Sequence, residues 1–195
     1  FDRVLQSDPE NREALLATGE LALAKRDFKL AGSTFTRAIG HYPEDADLLY
    51  GLAKAYAESD PSQMEEPLHT AMFTNPDHIP SLLLQAHNQV DAEQYETAKG
   101  ILKAIFKINP HHAGSWALQA AIHTVRNEPE EAREARKSGS KYWKTNPLVD
   151  HEIGKKLSSK YLFAEGAAHQ RQALAFSKDY ISAKTQLAQD LLRLG

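Results

Sequence analysis

Residues 10–43 read ENREALLATGELALAKRDFKLAGSTFTRAIGHYP, and their pattern decides the fold. Apolar and small residues recur at helical spacing through Leu15 and Gly19, pause near Arg26-Asp27, and resume through Ala31, Phe35 and Ala38. This is the pattern of two amphipathic helices joined by a short turn. Small side chains at Gly19, Ala31 and Ala38 let the two helices cross closely, and Leu15 and Phe35 fill the space between them. Tyr42-Pro43 closes the unit, because proline cannot continue a helix and drives the preceding residue out of helical conformation.

The same punctuation recurs outward along the chain. Asp8-Pro9, Tyr42-Pro43, Asn75-Pro76, Asn109-Pro110 and Asn146-Pro147 lie 34, 33, 34 and 37 residues apart. Ten residues after each of the first four prolines stands Gly19, Ala53, Ala86 or Ala120; six after stands Leu15, Leu49, Leu82 or Trp116. Phe35, Leu68 and Leu102 fall eight residues before the next proline. Nowhere do apolar and polar residues alternate for long enough to predict a strand. The spacing predicts an all-α chain of about twelve helices in one domain. Its units are a partial repeat 1–9, repeats 10–43, 44–76, 77–110, 111–147 and 148–178, and a partial repeat 179–195. The fourth unit counts three residues long, and the fifth has Lys178 where a proline is expected. Pro67 predicts a kinked or late-starting helix near Glu66, whereas Pro61 behind Asp60 suits a first helical position. Lys137-Ser138-Gly139-Ser140 predicts an irregular or bent helix.

On these residues the chain resembles the tetratricopeptide repeat family. Gly19, Ala31, Phe35, Ala38 and Pro43 match that family's pattern best. They are followed by Leu52, Ala53, Tyr56, Ala71 and Pro76, by Ala86, Ala98, Leu102 and Pro110, and by Trp116, Ala120, Ala132 or Ala135, and Pro147. The resemblance implies a right-handed superhelical solenoid whose first helices line a concave, partner-binding surface. It points the residues seven and eleven after each proline into that surface: Leu16 and Glu20, Tyr50 and Lys54, Leu83 and His87, Ala117 and Ala121, then Gly154 and Ser158. Some members grip a chaperone's terminal carboxylate through Lys and Asn at the first pair of these places. Leu16 and Glu20 occupy them here, which disfavours that mode. The small and apolar lining predicts an extended peptide or helix bearing apolar anchors.

Composition excludes other classes. The chain has 195 residues, 42% hydrophobic and 25% charged, which are globular values. No apolar run reaches the length of a membrane span. Cysteine is absent, so disulfides and thiolate chemistry are excluded, while the compartment stays open. The net charge is −3, without the basic field of a nucleic-acid binder, and no nucleic-acid partner is expected. Charge is nonetheless uneven. Residues 1–75 carry 13 acids and 7 bases, and residues 126–160 carry 9 bases against 6 acids.

No catalytic set accompanies the repeats. His151-Glu152 opens like a zinc-peptidase helix, but Lys155 stands where the second histidine belongs. His111-His112, His87 and His123 lack convergent ligand spacing. The Ser-x-x-Lys at Ser138, and the Ser158-Ser159-Lys160 stretch one residue short of that spacing, lack the companion motifs. The expectation is therefore a non-enzymatic interaction scaffold without cofactor or metal, binding an unidentified protein or peptide. The alternative is an accessory region of a larger enzyme, because Asp150 to Gly195 is similar to repeats that precede a metallopeptidase-like domain in large bacterial proteins. The chain is further expected to be a piece of a longer solenoid. Some of Leu187, Leu191 and Leu194 should then be exposed or covered by a second copy, with self-association through uncapped terminal helices.

Overall fold

A computed structural model describes residues 1–195, the Asp2 side chain excepted. Among the described residues there are twelve α-helices and no strand. They are α1 (Asp2–Ser7), α2 (Arg12–Ala24), α3 (Phe28–His41), α4 (Ala46–Ser59), α5 (Glu65–Thr74), α6 (Ile79–Asp91), α7 (Tyr95–Ile108), α8 (Ala113–Val125), α9 (Pro129–Gly139), α10 (Pro147–Ser159), α11 (Phe163–Phe176) and α12 (Ile181–Leu194). The repeat register by itself drew a single domain. By its contacts the chain divides into two compact units, Phe1–Gln85 and Ala86–Gly195, with the division inside α6.

The even-numbered helices from α2 onward begin at Arg12, Ala46, Ile79, Ala113, Pro147 and Ile181, spacings of 34, 33, 34, 34 and 34 residues. The fourth repeat is therefore of ordinary length, which corrects the count of 37. Pro147 is the first helical residue of α10, capped by Asn146, and does not close the unit before it. Lys144 holds the place that Pro110 holds one repeat earlier, three residues ahead of the helix.

Local signals fix the helix ends. Asn11, Asp27, Asp45, His112 and Asn146 each accept a backbone N–H in the first turn of the helix they precede. Within four of the repeats, the turn between paired helices holds one non-glycine residue in left-handed conformation: Arg26, Glu93, Asn127 or Tyr161, at φ between 59° and 64°. The residue after each sends its N–H back across the turn, as Asp27 does to the Ala22 carbonyl and Leu162 to the Leu157 carbonyl, satisfying the helix end. The second repeat solves the turn differently. Asp60 caps a 3-10 turn at Pro61–Gln63, and α5 starts late, at Glu65, with Pro67 in its first turn. The helix expected to bend at Lys137–Ser140 instead ends at Gly139, leaving α9 at 11 residues where α7 and α11 have 14.

In the first unit the core is apolar. Leu15, Ala22, Ala31, Phe35, Ala38, Leu48 and Ala55 form one cluster, and Ala53, Met64 and Leu68 continue it. Phe35 is its wedge, with a ring filling the space where a Cβ on either Gly19 of α2 or Gly51 of α4 would lie. Those two glycines are required by close approach, not by backbone conformation.

In the second unit Ala117, Ala120, Ala121, Ala135, Val149, Ile153 and Leu157 form the core. Two register places change character. Where Phe35 and Leu102 sit, α9 and α11 carry Arg136 and Gln170; where Leu15 and Leu49 sit, α10 carries Asp150. Asp150 is fully buried and takes a two-pronged pair from Arg136, Nε and Nη2 both at 2.7 Å. His169 Nδ1 adds a third contact to Asp150 at 2.8 Å. Gln170, also fully buried, spans His151 through Nδ1 at 2.8 Å and its carbonyl at 3.1 Å. Polar side chains thus occupy an interlock that is hydrocarbon in the first unit. At the last helix Leu191 and Leu194 are exposed, as are Ile181 and Leu192, while Leu187 is half-buried.

Candidate interaction surface

The first unit keeps an open row of side chains on its even-numbered helices. Leu16 and Glu20 stand one turn apart on α2, Tyr50 and Lys54 on α4, and Leu83 on α6. Glu20 and Lys54 are exposed, and Leu16, Tyr50 and Leu83 are half-buried. Lys54 Nζ lies 5.8 Å from the centroid of the Tyr50 ring. The ring meets His78 edge-on at 5.8 Å and 74°. Burial, and then the charge of Glu20, push the Tyr50 phenol above its ordinary value, so it stays a neutral donor.

A polar chain supports that row from the starts of the helices. Arg12 Nε pairs with Asp45 at 2.5 Å, and Arg12 Nη2 reaches Asp47 at 2.7 Å. Asp47 meets His78 Nε2 at 3.2 Å, and His78 Nδ1 lies 2.7 Å from the buried Ser81 Oγ. Burial opposes ionisation of Asp45, but Arg12 and the backbone N–H groups of Leu48 and Asp47 outweigh it and hold the carboxyl below the usual range. Sequence patterning treats Arg12, Asp47 and His78 as ordinary solvated groups. The signal that could have found them is the placement of all three within the first two residues of successive helices, or beside their caps.

The second unit does not continue the open row. Ala117 and Ala121, expected to line a groove, are wholly buried in the core against α10, and Gly154 and Ser158 are buried as well. The 34-residue register puts His151 and Lys155 at the places equivalent to Tyr50 and Lys54. Because Pro147 starts α10 instead of standing three residues ahead of it, counting from that proline lands three residues further on, at Gly154 and Ser158. His151 is buried against Tyr180, whose ring lies edge-on at 5.0 Å. Lys156 Nζ pairs with Asp91 at 2.8 Å and Lys160 Nζ caps the Asp91 carbonyl at 2.9 Å, so α10 is tied to the end of α6. His87 lies half-buried there. Burial, and then the charges of Lys156 and Lys155, depress it to about 3, so it is neutral at physiological pH. Among the described residues no three His, Asp or Glu side chains converge as metal ligands, and no helix is long and apolar enough to cross a membrane.

Paired helices at a 34-residue period, small residues at their crossings and a row of side chains on the first helices define a helical-repeat protein. The tetratricopeptide repeat profile matches residues 1–39 and 22–60. A tetratricopeptide protein of Thermus thermophilus, TTC0263, superposes with a TM-score of 0.71 at 19% identity, over 93% of this chain and 99% of that one. The Cut9–Hcn1 hetero-tetramer of the APC/C gives a TM-score of 0.71 at 14% identity, over 98% of this chain and 38% of that one. YrrB, described as a tetratricopeptide protein with an unusual peptide-binding site, gives a TM-score of 0.56 at 12% identity, covering 94% of this chain and 95% of that one. No curated protein sequence matches significantly. Residues 1–60 thus match the tetratricopeptide repeat model, and the chain shares the fold of solved tetratricopeptide repeat proteins.

Proposed function

We propose that this chain is a protein-interaction scaffold that binds an extended or helical peptide on the first unit, along Leu16, Glu20, Tyr50, Lys54 and Leu83. The observation that carries the reading is the contrast between the units: this row stays accessible, whereas Ala117 and Ala121 are enclosed. The row joins apolar surface at Leu16 and Leu83 to an aromatic donor at Tyr50, with opposite charges at Glu20 and Lys54 on either side. A peptide with an apolar anchor flanked by one base and one acid satisfies all of these together. The similarity to YrrB, whose description includes peptide binding, supports the reading by analogy.

Affinity capture with the wild-type chain and with Tyr50→Ala and Leu83→Asp variants tests it. Loss of captured proteins in both variants is expected. Capture undiminished in both places the site elsewhere.

A further inference from the structure

The loop after α9 carries two adjacent aromatics. Tyr142 and Trp143 are exposed there, by 70% and 57%, between Lys141 and Lys144. Both aromatics are held in place. The Tyr142 ring meets His111 edge-on at 4.5 Å, its hydroxyl lies 3.3 Å from His111 Nε2, and Trp143 Nε1 donates to Thr145 Oγ1 at 3.2 Å. Their polar tips are spent, and what faces outward is hydrocarbon and ring.

Three lysines on and beside this loop are unpaired. Lys107 lies in the last turn of α7, four residues before His111, and is exposed like Lys141 and Lys144. In the second unit Arg133 pairs with Glu130, Arg136 with Asp150, Lys137 with Glu134 and Lys156 with Asp91, whereas these three lysines have no carboxylate partner within the unit. The unit as a whole carries 16 lysines and arginines against 12 acids, a net of +4, while residues 1–85 carry a net of −7.

We propose that the α9–α10 loop, with His111 and the end of α7, docks an acidic segment of a partner protein, its carboxylates on Lys107, Lys141 and Lys144 and an apolar anchor against Trp143. Uncompensated like charges raise the affinity and encounter rate of an anionic partner. Rigid aromatics are efficient anchors, because little side-chain freedom is lost when they are covered. A nucleobase stack fits less well, because Lys141 Nζ already lies over the Tyr142 ring at 5.3 Å. A bilayer fits less well too, because the Tyr142 ring is held edge-on by His111 and its hydroxyl is engaged there. This surface is independent of the row on α2 and α4, and either can fail alone.

The probe is a fluorescein-labelled peptide, Glu-Glu-Leu-Glu-Phe-Glu-Glu, followed by anisotropy against the whole chain at low salt. Lys141→Glu/Lys144→Glu should weaken binding by about tenfold or more, and Trp143→Ala by about fivefold, with Trp143→Phe recovering most of the loss. Lys29→Glu, an equal charge change per site on the exposed face of the other unit, should leave binding within about twofold. Circular dichroism establishes that each variant is folded. The proposal is overturned if both loop variants bind as wild type does, or if a peptide with Gln in place of Glu binds equally. It is also overturned if phosphatidylserine vesicles or an oligonucleotide, and not the peptide, are retained through Trp143. A wild-type oligomer that dissociates in Lys141→Glu/Lys144→Glu by light scattering would assign the edge to a second copy and overturn it as well.

Discussion

Single side chains set the geometry of the first unit, and Phe35 sets most of it. Because its ring fills the space that Gly19 and Gly51 leave, removing it opens a void that neither neighbour can fill. Phe35→Ala should cost about 3–5 kcal/mol in urea-induced unfolding. The turns offer a test in the opposite direction. Glu93 is exposed and left-handed at φ 61°, a conformation that costs a non-glycine residue about 1 kcal/mol or more. Glu93→Gly should raise stability by a few tenths to about 1 kcal/mol, since the added freedom of the unfolded glycine offsets part of the gain. A thermal melt that falls instead would mean that the Glu93 side chain stabilises the turn. At this scale Phe35 and Gly19 were legible in the sequence from their repeat offsets. The left-handed residues were not, because Arg26, Glu93, Asn127 and Tyr161 share no chemistry that announces the conformation.

Between helices, the contrast lies in what locks neighbouring repeats together. The α9–α10–α11 interlock rests on Asp150, whose burial raises its proton affinity but is outweighed by His169 and Arg136, so its carboxyl titrates below the ordinary value. A carboxyl depressed in the folded state stabilises the fold above its unfolded pKa, near 4, and the contribution is lost as pH falls through the lower folded value. Asp150→Asn should therefore cost about 2–3 kcal/mol at neutral pH, less than a wholly buried pair because Arg136 and His169 are partly solvated. The penalty should shrink below pH 4, and urea unfolding followed from pH 3 to 7 reads that convergence. Every helix was legible as an element, from periodicity and caps. The polar interlock was hidden by Pro147: taken as a closing mark, it displaced the register by three residues, so Arg136, Asp150 and Gln170 fell at places with no expected role. Its actual place, first in α10 behind Asn146, is one that proline also favours. The same displacement put Gly154 and Ser158 on the expected surface instead of His151 and Lys155.

Across the whole molecule the two units should respond differently to acid. His87 is held neutral, so protonation favours the unfolded chain, and its contribution is complete above about pH 6.5 and declines as pH falls toward 3. Near 1.4 kcal/mol per pH unit, this amounts to about 2 kcal/mol between pH 6.5 and 5. The charges of Lys156 and Lys155 act on the ring, and Asp91 pairs with Lys156. Amide-exchange protection, corrected for intrinsic rate, should therefore fall in residues 86–195 before it falls in residues 1–85, and His87→Gln should reduce the difference, leaving the part due to His112, which burial also depresses. Equal loss in both units would remove His87 from the account.

The Phe35 wedge bears on how such arrays can be rearranged. Its ring needs glycine both in its own repeat and at the sixth residue of the helix that follows, where Gly51 stands. The matching residues of α6, α8 and α10 are Leu84, Leu118 and Glu152. The first repeat can therefore be followed by the second and not by any of those three. Gene duplication or module exchange that parts the two would join helices whose surfaces collide, so the exchangeable unit here is a piece of 67 residues, Arg12 to His78.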